Sequence, residues 1–337
     1  MSTSSVSTLP FDLSSLVQQC DPEDFVTARL VVDCHCILGE GILYDDRRQA
    51  VLWTDIMGSK LHELRLVDSS SQQIQHVTYT LPRKLCSFGL LNQPSSVDEL
   101  PLLCAWEDGF QLYDVAQGKE LSDYSQGEDV NPKKLPTRLN DGRVDPVGTY
   151  YICGGYYGDV PGNKMKVYRV AEKDGNLTHT PIVDSIEVTN SIHWTPDGRT
   201  MYLADSPTRS IQTYDYSDGV ISNPQPFHSK PEEDGVPDGS CVDAEGYLWN
   251  AVWRSGMGPG MVQRIDPTTG TVVFTVHMPD TTSQCSCCCF GGPDLDILFI
   301  TTAHEHRDVA KEPHAGGLYA VKLPFKGKLE SRFRGSS

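Results

Sequence analysis

No long stretch of the chain carries a persuasive helical period, which removes helical bundles and helical solenoids from consideration. The opening MSTSSVSTLP is rich in Ser and Thr, has no basic residue, and is not followed by a continuous apolar segment of signal-peptide length. Secretion and membrane insertion are therefore not expected, and the expected location is cytoplasmic. Basic charge is scarce: 28 Lys and Arg face 45 Asp and Glu, a net charge of −17. That balance argues against nucleic acid and anionic membrane surfaces as partners and suits a neutral small molecule or a cation. A paired-cysteine framework is also missing, because eleven cysteines are an odd number and the run CSCCC at 285–289 cannot pair neighbour with neighbour without severe strain. Reduced thiols that pack as small apolar side chains are the simpler expectation.

What the chain has instead is a repeat. The stretches LGEG at 38–41, RLNDG at 138–142, TNS at 189–191 and PDGS at 237–240 each lie about a dozen residues before an apolar run, respectively LWTDI, YYICGG, MYLADS and LWNAV. The anchors Trp53, Cys104, Tyr151, Tyr202, Trp249 and Phe299 divide the chain into units of roughly 50 residues, the range of propeller blades. Within a unit, runs such as SIQTYDY and VVFTVHM are β-branched and aromatic, and TPDGRT, DAEGYL and DPTTGT supply hairpin turns. The expected fold is all-β: a six-bladed propeller of four-stranded antiparallel blades, whose closure leaves only short protected edges. The propeller is expected over residues 25–325, between a polar extension at 1–24 and a tail at 326–337. The segment FVTARLVV at 25–32 is expected to pair with GGLYAVKL at 316–323 and close the last blade.

In a propeller, residues at one end of the inner strands converge from distant points of the chain. Glu40, Asn140, Asn190 and Asp238 share one phase of the repeat, so four oxygen-bearing side chains meet at the axis. Glu40, Asn190 and Asp238 then offer two carboxylates and an amide carbonyl to one divalent ion, with Ca²⁺ first and Mg²⁺, Mn²⁺, Zn²⁺ or Fe²⁺ as alternatives. Each residue alone reads as a turn or a solvated acid. Their equivalent place in separate repeats favours a site. A zinc centre at Cys34, His35 and Cys36 with a remote cysteine ranks behind ordinary packing, and His304 with His306 reads as a loop after a strand. Alternation along a strand lets only one of His193 and Trp194 face inward. Asn176-Leu177-Thr178 matches a glycosylation acceptor that a cytoplasmic chain leaves bare.

Together, LGEG, W-x-D-I, TRLNDG-x-VDP-x-G, N-S-I-x-W-x-x-DG, PDG-x-x-x-DAEG-x-LW and FGG-PD, in this order over about residues 30–325, resemble the SMP-30/gluconolactonase/regucalcin-like family. The resemblance implies a metal-dependent lactonase acting on a small lactone. It makes Glu40, Asn190 and Asp238 the metal ligands, with Asp238 also the general base. Arg138 and Asn140 become the substrate-holding pair, and Asp141 the acid beside the attacking water. One departure stands out: where family members acting on sugar lactones often carry a glutamate, this chain reads GGYYGDVPGNK. Asp159, Tyr156 and Tyr157 are the candidates to form that wall, and a less hydroxylated lactone is a live substrate. An arylesterase or organophosphate hydrolase using the same centre and a non-catalytic calcium-binding propeller are the alternatives.

Overall fold

The computed structural model describes residues 4–9, 15–16, 26–66, 74–92, 98–127, 137–158, 164–256, 258–279 and 281–335. Six sheets form, and each starts with an inner strand: Gly39–Asp45, Leu85–Leu90, Arg138–Val144, Thr189–Trp194, Val236–Val242 and Cys285–Gly291. Every inner strand touches the next and the sixth touches the first, so the ring is closed. This is the six-bladed propeller expected from the repeat. Some blades exceed four strands: Ser4–Leu9 adds an outer strand to the first blade and Val26–Thr27 pairs in parallel with the outer strand of the fifth. In the second blade the outermost positions are filled by the short segments Lys119–Glu120 and Ser125–Gln126.

The second strand of each blade explains the repeat. Trp53, Cys104, Tyr151, Tyr202, Trp249 and Phe299 all lie there, fully buried between neighbouring blades. Burial of a Phe-sized side chain stabilises by roughly 1.5–3 kcal/mol, so the five aromatic anchors outweigh any local turn preference in fixing blade spacing. The hairpin after an inner strand is capped by its own aspartate. Asp45 accepts the Arg47 N–H at 3.0 Å, Asp145 the Tyr150 N–H at 2.9 Å, and Asp243 those of Glu245 and Tyr247 at 3.0 and 2.9 Å.

Arg29–Val32 pairs antiparallel with Leu318–Lys322, so the sixth blade takes its outer strand from the segment preceding the first. The C-terminal tail crosses the end of the ring where the inner strands finish: Arg332 binds Asp45 and Asp46 at 2.6 Å each, and Glu330 meets the buried Arg143 at 2.5 Å. Access to the axis is thereby left to the opposite end, where the inner strands start. Among the described residues no helix is long and apolar enough to cross a membrane.

Candidate active site

Every inner strand shifts register against its neighbour near its start, between Glu40 and Leu43, Leu85 and Ser87, Leu139 and Gly142, Asn190 and His193, Pro237 and Ser240, and Cys285 and Cys287. A bulge of this kind kinks the strand and re-aims side chains that regular alternation would send between blades. Gly41 and Ser191, which directly follow Glu40 and Asn190, both take φ of +57°. Gly39–Asp45 can therefore turn its second residue toward the axis. Gly239 matters for its lack of a side chain. A Cβ there would sit 2.4 Å from Cys287 Sγ, so Asp238 reaches its place only because the sixth blade presses against a glycine.

The result is a cavity of about 630 Å³ at the open end of the axis, within the range of small-molecule sites. Glu40, Arg138, Asn140, Asn190 and Asp238 line it, so the structure brings together five of the six expected site residues. Asp141 sits just below, buried, its Oδ2 accepting the Ile192 N–H at 3.0 Å and tying the third blade to the fourth. The amide of Asn190 is held in one orientation, because its Nδ2 donates to Ser206 Oγ at 2.8 Å and leaves Oδ1 free to accept. Asn140 Nδ2 donates to that Oδ1 at 3.2 Å and to Thr189 O at 2.8 Å, while Asn140 Oδ1 accepts from Arg138. Asn140 is thus a strut between two blades as well as a wall of the cavity. Arg138 lies over the Tyr156 ring at 4.5 Å.

The electrostatics set Glu40 and Asp238 apart. They come from the first and fifth blades, are buried, and face each other closely enough to share a hydrogen bond. Burial, and then the charge of Asp141, pushes Glu40 up to about 8. Asp238 is raised well above the usual carboxylate range by burial, with the Glu40 charge next. Asp141 is raised as well, chiefly by burial. Three acids in one dry pocket repel one another, and a divalent cation among them relieves that repulsion. The donors are all oxygen, which fits a hard cation: Glu40, Asn190 and Asp238 are the residues that would hold it.

Some neighbours could not be read from the repeat. Leu38, Val188, Val236 and Trp253 make apolar walls, and Glu305, His306 and Arg307 stand at the rim. Trp253 and Tyr156 were in principle accessible, since each ends a second strand and pairs with the residue that opens the inner strand, Val236 and Arg138 respectively. Of the three candidates for the departing wall, Tyr156 lines the cavity, Tyr157 packs against the core, and Asp159 lies outside the described residues. The cysteines of the 285–289 run are buried filler in the sixth inner strand, and burial raises all four thiols. His193 Nδ1 meets the Trp194 N–H at 2.9 Å; burial, and then the Arg143 charge, lowers it to about 4, and it does not line the cavity.

Comparison with known proteins places this geometry. The profile of the SMP-30/Gluconolactonase/LRE-like region matches residues 38–304. An L-arabinolactonase of Azospirillum brasilense is 32% identical over 324 residues, covering 95% of this chain and 99% of that protein. Regucalcin of Bos taurus is 28% identical over 312 residues, 86% of this chain and 91% of its own. The crystal structure of a calcium-binding protein, regucalcin from Agrobacterium tumefaciens strain C58, superposes with a TM-score of 0.76 at 28% identity, over 92% of this chain and 99% of that one.

Proposed function

Because the chain belongs to the SMP-30/gluconolactonase/LRE-like family, we propose that it hydrolyses a small lactone at the axial cavity with one divalent ion held by Glu40, Asn190 and Asp238. The observation that carries the reading is the buried, face-to-face approach of Glu40 and Asp238, two acids almost 200 residues apart that only ring closure brings together. The similarity to an L-arabinolactonase over nearly the whole chain supports the reaction class. The similarity to a calcium-binding regucalcin supports Ca²⁺ as the first candidate ion.

When bound, a divalent ion supplies Lewis-acid polarisation of an ester carbonyl and offsets the charge of the carboxylates. The protein does the rest. Asp238 accepts the proton of the attacking water on a carboxylate oxygen. Arg138 holds the substrate's oxygens, and Asn140, whose amide hydrogens already go to Thr189 O and Asn190 Oδ1, fixes the guanidinium through its Oδ1. The planar guanidinium, already supported on Tyr156, presents directed N–H groups that an ammonium could not. Asp141, fixed by the Ile192 N–H, orients the same water from below. Trp253 and Tyr156 offer the substrate ring aromatic faces, beside polar groups from Ser255, Gln284 and Arg307.

The test is hydrolysis in a pH-stat of five- and six-membered lactones, aryl esters and phosphotriesters, before and after EDTA and with Ca²⁺, Mg²⁺, Mn²⁺, Zn²⁺ or Fe²⁺ restored. Lactone opening that disappears with the chelator and returns with one of these ions is the expected result. Turnover confined to aryl esters or phosphotriesters would transfer the chemistry to another ester class. No turnover with tight ion binding would leave a calcium-binding propeller.

A further inference from the structure

A second group of ligating side chains lies away from the axis, in the first blade. Cys36, Asp55 and His62 are buried, and their candidate ligand atoms all lie within 4.8 Å of one another. Cys36 Sγ is 3.5 Å from His62 Nε2 and 3.5 Å from Cys34 Sγ. We propose that Cys36, His62 and the Asp55 carboxylate hold a structural zinc ion separate from the axial centre, with Cys34, whose thiol touches that of Cys36, turning in as the fourth ligand.

The distances carry the proposal. Zinc bonds sulfur at about 2.3 Å and nitrogen at about 2.0 Å, so tetrahedral ligands stand about 3.8 Å apart for two sulfurs and about 3.6 Å for sulfur and nitrogen. Cys36 Sγ stands at 3.5 Å from both Cys34 Sγ and His62 Nε2, close to these values, and the Asp55 carboxylate lies within 4.8 Å of Cys36 and His62. Backbone geometry explains how a Cys-x-Cys segment achieves this: His35 takes φ of +49°, which leaves its own side chain exposed and lets the flanking thiols meet. The remote partner that the Cys34-to-Cys36 stretch lacked in sequence is therefore a histidine.

The surroundings are those of a ligand shell. His62 Nδ1 meets His76 Nε2 at 3.0 Å and Thr78 Oγ1 at 3.2 Å, contacts that orient the ring with Nε2 toward Cys36. Asp55 Oδ1 is occupied by the Leu38 and Gly58 N–H groups at 3.0 and 3.1 Å, which fixes the carboxylate. The Trp53 indole N–H is buried with no acceptor among the described residues, and it lies beside the Cys36 sulfur, where a thiolate would accept it. An entry path exists: a cavity of about 350 Å³, lined by Cys34, Lys60, His62 and His76 and by Ser4 and Ser5 of the outermost strand, opens onto the group. Binding releases the two thiol protons to solvent and replaces the Cys34 contact with Gly316 O, 3.2 Å in length. Sulfur and nitrogen donors select zinc over calcium and magnesium, so the axial ion does not compete.

The full-length protein, stripped of metal and kept reduced, is titrated with Co²⁺ and then Zn²⁺. One equivalent of Co²⁺ should produce a thiolate-to-cobalt charge-transfer band and tetrahedral d–d bands, discharged by one equivalent of Zn²⁺. Cys36→Ser should abolish the band. Cys34→Ser, at a half-buried position that tolerates exchange, should weaken zinc binding at least about tenfold if Cys36→Ser does not fold, and His76→Asn should weaken it about tenfold. Asp238→Asn should leave the band intact. A wild-type protein without the band, or a band that survives Cys34→Ser unchanged, overturns the assignment.

Discussion

Glu40 and Cys36 are four residues apart in the chain but belong to sites of opposite character. The axial cavity collects oxygen donors from the first, fourth and fifth blades, and it exists only because the ring closes. The Cys36 pocket collects sulfur and nitrogen from one blade and the segment leading into it, and ordinary strand pairing builds it: His62 and Thr78 are cross-strand partners. Burial acts on both with opposite sign. It raises Glu40 to about 8 and lowers His62 to about 3 and His76 to about 4, because in each case the charged form is the one that loses water. The dry imidazoles are thereby kept neutral and ready to bind a metal, whereas the dry carboxylates are held in a state that a cation releases.

The largest test of this contrast is Asp238→Asn. We expect a folded protein, judged by circular dichroism, with lactone hydrolysis reduced at least about 10³-fold, since the residue serves as both ligand and base. Activity near wild type would reduce the axial acids to ordinary buried polar groups. Ser206→Ala comes next. It removes the hydroxyl that holds Asn190 Nδ2, and losses of about 10–100-fold in divalent affinity are expected by isothermal titration calorimetry, as for other groups that orient a ligand. An unchanged affinity would mean that Asn190 is held by Asn140 alone.

The smallest expected effect concerns pH. The folded pKa of Glu40 lies above its ordinary value of 4.5, so its contribution to stability is present below pH 4.5 and is lost as pH rises through about 8. Metal-stripped protein should therefore lose a few degrees of melting temperature across that window, measured by scanning fluorimetry against Glu40→Gln, in which the slope is flattened. Saturating divalent ion should abolish the slope in the wild type and leave the variant unmoved. A slope identical in both proteins would assign the pH dependence to other groups.

Much of the axial site was legible because its residues repeat. Glu40, Asn140, Asn190 and Asp238 stand at one phase, and phase survives in a sequence even where identity does not. The walls had no such signal. Trp253 and Tyr156 share one place, the end of a second strand, but an aromatic residue is not kept there in every blade, and Arg307 arrives on an irregular loop after the sixth blade's second strand. The role of Asn140 as a strut was equally hidden, because it depends on which of its amide ends meets Arg138 and which meets Thr189. The Cys-x-Cys segment is visible in the sequence, but its partner His62 carries no spacing that links it to Cys34.

By itself the sequence determined the blade: strands of β-branched and aromatic residues, turns capped by aspartate, one large buried anchor in each unit, and hence six units in a ring. Those are local preferences and near-neighbour packing, and they repeat. Only the tertiary structure decided what the ring encloses, because bulges aim the inner side chains and closure sets the distances between blades. The same dependence on closure explains why two acids far apart along the chain are buried within reach of each other, an arrangement that neither blade would tolerate alone.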